Sequence, residues 1–428
     1  MLKGKVFLIF CVILIATRLS FVFLNKSYAK PAYEDYERPA ISFLNGNGFQ
    51  SDIKNYFFKG WAPTAMQLPI YILITAASYK AFGVSSVEAH MALLIINILF
   101  DILSLIFLLK ILNNFNYDVR SKYVCAFLFS INPILTITSA NFNDTSIFIL
   151  FMLWIFYYYL KIVDKPNIFK FLTLGVLWGV TCLINNHFLL FSVFGFLPYI
   201  KRHKINFKNI LNIGLSGLIC ILILSGWVYR NYKEFGKFIP FKSGYSAVLF
   251  LGVNEFSGGE QNKLLTSNFN NQDLLNKYPS IKKLKFEGHQ DELKFNDAFS
   301  EASRKALENR EWEVVKLFFI KTWKMWTYPS SHAFLNKRIG IIFKVYFLVR
   351  FLVFLIGLFY LEKSSLKNLI YLMVLCVTAT FSLTSVGMFR FIAYYEPLYV
   401  ILLSLIMCKF LNRNQIVDNS KKAKGISL

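Results

Sequence analysis

The chain has 428 residues, 56% of them hydrophobic and 18% aromatic, with a formal charge of +23. Apolar runs long enough to cross a bilayer recur from end to end, which excludes a soluble globular enzyme and marks an all-α, polytopic membrane protein. The basic excess does not point to nucleic acid, because the Lys and Arg residues fall mainly in short patches between apolar runs, as the positive-inside rule expects.

Lys3 and Lys5 precede an apolar run from Val6 to about Leu24, with Ser27-Tyr28-Ala29 beyond it. The run has features of a signal peptide, but it is long enough to span and is read as a retained anchor. The next stretch, Ala32 to Phe49 (AYEDYERPAISFLNGNGF), then falls on the outer side as a loop. It places Glu34, Asp35 and Glu37 around Tyr36 before turning polar and Gly-rich. Acids grouped at a membrane exit are either a solvated loop or a general base at the water–membrane boundary, where burial and neighbouring charge tune acidity.

Leu68 to Phe82 is short for a span, and Pro69 suits a first helical turn. Read as a membrane-surface helix, it puts the basic clusters at 110–122, 161–170, 201–208, 363–367 and 409–424 inside. The remaining spans fall near 90–109, 122–138, 145–161, 171–184, 188–200, 209–228, 338–361, 366–386 and 391–411. That gives about ten spans, with both termini cytoplasmic.

The expected organisation follows. Residues 1–228 form an N-terminal transmembrane module whose first outer catalytic loop is 25–67. Residues 229–336 form an extracytoplasmic region, 337–411 the C-terminal spans, and 412–428 a basic cytoplasmic tail. The long outer segment, Trp227 to Asn336, covers roughly 110 residues, too many for a plain linker. Asp291 to Trp326 reads as one helix, aromatic and basic from Trp312, as an interfacial helix would be. All six cysteines lie inside apolar runs without a CxxC pair, so they read as small buried apolar residues. No metal site is expected.

Three more polar features stand at the outer ends of spans. Asp144, in NFNDTS, reads as a helix cap or as a cavity-facing acid. Arg230, in GWVYRNYKEFGKFIPF, either snorkels or neutralises an anion. Arg390, in GMFRF, opens the last span, and an arginine there is a functional candidate. Carboxylates and arginines on one membrane face suit a transfer reaction. A carboxylate takes a proton from an acceptor hydroxyl while arginines hold a departing, lipid-anchored phosphate.

Four segments carry a family likeness: YERPAISFLNGNGF, APTAMQLPIYILITAASYKAFG, GWVYRNYKEFGKFIPF and RFIAYYEPLYVILLSLIM. They resemble the GT-C superfamily of polyprenyl-phosphate-sugar glycosyltransferases, in the bacterial branch related to protein O-mannosyltransferases and the lipid A aminoarabinose transferase. NPILTITSANFNDT fits more weakly. The resemblance implies an integral protein of the bacterial inner membrane, with its catalytic face extracytoplasmic. It implies a sugar on a polyprenyl monophosphate as donor, no cofactor or metal, a glycan, lipid or protein acceptor, and inversion at the anomeric carbon. A first-loop acid is the expected base. Many relatives carry adjacent acids a turn before the Tyr36 position, whereas here the acids flank it. Asp35 is the first choice, with Glu37 and Glu34 as alternates. Asp144 matches the second-loop acid, and Arg230, Asn231, Tyr36 and Arg390 match substrate-binding positions. The rival readings are a polytopic transporter or flippase, with acids and arginines lining a path, and a non-catalytic glycolipid-binding relative.

Overall fold

The structure is a computed structural model. It describes residues 4–30, 34–52, 61–115, 117–204, 206–256, 272–287, 292–327, 337–360, 365–383 and 392–423. In chain order the helices are α1 Gly4–Leu24, α2 Glu34–Leu44, α3 Pro69–Phe82, α4 Val87–Asn114, α5 Val119–Ser130, α6 Pro133–Ser139, α7 Thr145–Asp164, α8 Ile168–Ile184, α9 Leu189–Phe194, α10 Leu197–His203 and α11 Phe207–Phe235. There follow α12 Tyr245–Val253, α13 Gln272–Lys277, α14 Pro279–Glu287, α15 Glu292–Leu307, α16 Glu311–Thr327, α17 Lys337–Tyr360, α18 Ser365–Leu383 and α19 Glu396–Ala423. The described strands are β1 Gln50–Ser51 and β2 Ala62–Pro63, paired antiparallel. The all-α, polytopic reading stands.

Among the described residues, α1, α4, α7 and α11 are long and apolar enough to cross a membrane. α5 and α6 form a fifth crossing if taken together, bent by 47° at Ile131-Asn132. Asn132 causes the break, because its side chain accepts from the Leu135 amide and starts a new helix at Pro133. The span expected at 188–200 is instead α9 and α10, parted at Gly195. A Cβ there would meet the Tyr159 ring at 2.5 Å, so only glycine lets the chain pass. α8 and α11 pack closely for a similar reason. Gly175 lets the Ser216 backbone approach, and Gly179, four residues on, takes the Ile223 side chain. All six cysteines are buried.

Two charges inside apolar runs escaped the sequence reading. Arg18, within the first run, is fully buried and pairs with Asp101 of α4 at 3.2 Å. It also donates to the Thr136 hydroxyl at 2.9 Å and to the Phe129 and Ser130 carbonyls at the α5–α6 break. Ser139 completes the Asp101 carboxylate at 2.9 Å. Asn97 donates to the Ser139 and Asn141 carbonyls. In α17, Arg350 pairs with Glu396 at the start of α19 and lies over the Tyr399 ring, while Asn132 donates to the other Glu396 oxygen at 2.7 Å. Asp101 and Asn97, the polar groups a transport path would use, are thus locked into side-chain and backbone contacts.

The stretch Ala32 to Phe49 is helical over Glu34–Leu44 and a turn beyond it, rather than a loop throughout. Its acids form the first turn of α2, where the helix N-terminus favours negative charge. Pro39 cannot donate to the Asp35 carbonyl, so this turn is open on one side. α3 is helical as expected but packs against α2, α4 and α8, with half of its residues buried. α11 runs on to Phe235, where Gly236 caps it at φ 66°, so the long segment begins later than Trp227. The helix expected over Asp291 to Trp326 is two, α15 and α16, broken at Asn309, whose φ is 56°. α12 to α15 enclose their own core around Phe250, Leu274, Tyr278, Ile281 and Phe299. α16 leaves Trp312, Phe319 and Trp323 exposed and packs against α17 and α18.

Candidate active site

The C-terminal ends of α1, α8 and α11 and the N-terminal ends of α4 and α7 gather at one end of the bundle. α2, α3 and α12 pack there too. The opposite end carries basic clusters such as Lys201 to His203, where Arg202 pairs with Asp164.

Asp35 is exposed in the first turn of α2 and accepts a hydrogen bond from Gln67 Nε2 at 3.2 Å. Gln67 Oε1 in turn accepts from Lys242 Nζ at 3.0 Å. One amide therefore bridges a carboxylate and an ammonium from distant segments, with Lys242 lying 175 residues beyond Gln67. Neither Gln67 nor Lys242 was singled out in the sequence, although Gln67 lies inside APTAMQLPIYILITAASYKAFG and Lys242 directly follows GWVYRNYKEFGKFIPF. Glu37 is engaged differently. The Tyr79 hydroxyl at 2.9 Å and the Ser85 hydroxyl at 2.6 Å both donate to its Oε1, fastening α2 to the end of α3. Glu34 is exposed. Tyr36 is buried, edge-on to Tyr71 at 5.0 Å.

Asp144 stands at the N-cap of α7, but its side chain makes no capping bond. The neighbouring Asn143 accepts from the Thr145 amide instead. The Asp144 carboxylate is fully buried and accepts from Asn185 Nδ2 at 3.0 Å. Its Oδ1 has no hydrogen-bond partner among the described residues. Asn185 also donates to the Tyr394 hydroxyl at 3.2 Å.

Arg230 is not turned toward this cluster. Its guanidinium donates to the Thr64 carbonyl at 2.8 Å and the Phe49 carbonyl at 2.7 Å, among the rings of Phe49, Trp227 and Phe235. It clamps both ends of the first outer segment onto α11. Asn231 is fully buried and ties the turn after α11 to the Ile239 carbonyl at 2.9 Å. Arg390 lies outside the described residues. Among those described, no three His, Cys, Asp or Glu side chains come together as metal ligands.

Glu292 of α15, missed in the sequence, reinforces the clamp. It is buried, accepts from the Ala65 amide at 2.8 Å and bonds the Ser243 hydroxyl. Burial raises its carboxyl above the ordinary range, against the pull of those bonds and of Arg230. Between the ordinary and the raised value, the folded state keeps a proton that the unfolded state has lost. Stability is then greatest below that window and falls as pH rises through it. Glu292→Gln should flatten the slope in thermal melts as pH rises above the ordinary glutamate range. An unchanged slope would assign it to other groups.

Residues 67–229 match the family model described as dolichyl-phosphate-mannose-protein mannosyltransferase. The oligosaccharyltransferase AglB of Archaeoglobus fulgidus, solved with an inhibitory peptide and a dolichol-phosphate, superposes over 99% of this chain and 52% of its own, with 12% identity and a TM-score of 0.59. The same archaeon's oligosaccharyltransferase tethered to an acceptor peptide matches over 98% of this chain and 51% of its own, at 14% identity and a TM-score of 0.56. The likeness to these oligosaccharyltransferases is one of fold. The chain spans about half their length. ArnT of Cupriavidus metallidurans bound to undecaprenyl phosphate is a weaker likeness, with 13% identity over 92% of this chain and 76% of its own and a TM-score of 0.40. No curated protein matches the chain by sequence.

Proposed function

We propose that this chain is an inverting glycosyltransferase of the bacterial inner membrane. It moves a sugar from a polyprenyl monophosphate to an acceptor hydroxyl on the extracytoplasmic side. The observation that carries the reading is the Asp35–Gln67–Lys242 contact, which sets a solvent-accessible carboxylate and an ammonium on either side of one amide. The acceptor oxygen attacks the anomeric carbon as Asp35 takes its proton. The bond from that carbon to the phosphate oxygen breaks, and the lipid phosphate leaves with the electron pair. Lys242 stabilises the charge that gathers on it. The donor is a lipid, which accounts for an enzyme embedded in the bilayer.

Asp35 is the better base than Glu37, whose Oε1 already accepts from two hydroxyls. Asp144 has no exposed surface, so it acts as a positioning group that orients Asn185 beside Tyr394. Arg230 supports the site by holding the first outer segment.

Lys242→Met should lower transfer by roughly tenfold to 100-fold through loss of that charge, with little change in melting temperature. Normal transfer by this variant would place the phosphate elsewhere. The function itself is tested in lipid and glycan extracts of a deletion strain. Accumulation of a polyprenyl-phosphate sugar with loss of one envelope glycan is expected, and unchanged extracts would overturn the reading.

A further inference from the structure

Beside the Arg230 clamp lies an open cavity of about 370 Å³. Trp61, Pro63, Glu234, Phe235 and Glu292 line it. We propose that this cavity binds a neutral sugar unit of the acceptor glycan.

Three observations point to that ligand. The volume is at the small end of ligand sites, enough for one ring rather than a lipid tail or a folded peptide. Trp61 is 44% exposed beside the partly buried Phe235, so an apolar aromatic surface is open to a ligand. The carbon-bound hydrogens of a pyranose form a matching apolar face. Glu234 supplies the polar side. It is exposed in the last turn of α11, one turn beyond Arg230, where a helix C-terminus disfavours a carboxylate. Ionised, it accepts from sugar hydroxyls through charge-assisted hydrogen bonds.

Charge decides between donor and acceptor. Glu234 and Glu292 both line the cavity, whereas Arg230, within electrostatic reach of both, directs its N–H groups to the Thr64 and Phe49 carbonyls. The exposed Glu234 carboxylate disfavours a phosphate here and accepts from a neutral polyol. The cavity is also tied to the chemistry. Ala62 lines it, and Gln67, five residues on, holds Asp35. An extended chain of that length reaches at most about 18 Å, a span that a short oligosaccharide covers. A sugar seated at Trp61 therefore anchors a glycan whose neighbouring units extend toward Asp35. Its role as acceptor rests on the glycosyl-transfer reading, but its binding does not.

The test uses the full-length protein in nanodiscs and saturation-transfer NMR. The probes are methyl glycosides of glucose, galactose, mannose and N-acetylglucosamine, and their β-linked disaccharides. At least one should receive saturation at its ring protons, and Trp61→Ala and Glu234→Gln should each weaken it by about fivefold or more. Trp312→Ala, which removes an indole that is 83% exposed on α16, should leave it unchanged. Saturation of none of the probes, or saturation that survives Trp61→Ala, would overturn the proposal. Donor turnover measured on the same samples separates the two readings. Trp61-dependent sugar binding without turnover would refute glycosyl transfer but keep the site. Turnover without Trp61-dependent binding would refute the site but keep glycosyl transfer.

Discussion

Asp35→Asn should bind donor lipid normally and transfer sugar roughly 100-fold to 10,000-fold more slowly. Asparagine keeps the shape of the side chain and can still meet the Gln67 amide, but it cannot accept the acceptor proton. Asp35 is exposed, so the substitution leaves packing intact and the effect should fall on turnover. Glu37→Gln is the informative companion. Its amide can still accept from Tyr79 and Ser85, so transfer should fall far less. Equal and severe losses in both variants would mean that α2 tolerates no change in its first turn. Full activity in Asp35→Asn would move the base elsewhere and favour a binding protein without catalysis.

Arg18→Leu should have the largest effect on stability. It leaves Asp101 buried with its counter-charge gone and strips donors from the carbonyls at the α5–α6 break. Breaking a buried pair from one side costs about 3–5 kcal/mol, because the remaining charge has no solvent to turn to. The double variant Arg18→Leu/Asp101→Leu should recover part of that loss, since a matched apolar pair carries no orphaned charge. Thermal melts in nanodiscs would show the difference. If the double variant is no more stable than the single one, the pair serves mainly by satisfying the carbonyls of the broken helix.

Hydropathy made most of the helices legible, because each apolar stretch had to become a helix to satisfy its backbone in lipid. Where helices break was less legible. Gly195 parts α9 from α10 only because the Tyr159 ring occupies the space a side chain would need, a contact between distant helices. The sequence reading makes α2 a loop that turns polar and Gly-rich, although acids in a first turn are themselves a helix-start signal. Arg18 and Arg350 were overlooked as single charges in long apolar runs, and their partners lie 83 and 46 positions away.

The site shows the same limit. The motif around Arg230 marked an important position, but the contacts that define its role come from Phe49 and Thr64, far off in the chain. Gln67, Lys242 and Glu292 become notable only once the outer segments are folded together. The transporter alternative weakened for a related reason. Its best polar candidates, Asp101 and Asn97, are held by Arg18, Ser139 and backbone carbonyls.

The most direct measurement supplies the purified chain in nanodiscs with a polyprenyl monophosphate labelled in its sugar, together with acceptor extracted from the source membrane. The account predicts that the label leaves the lipid for the acceptor, that the new bond has the opposite anomeric configuration, and that Asp35→Asn abolishes the transfer without abolishing donor binding. Label that stays on a bound donor, or a product that keeps the donor's configuration, would contradict it.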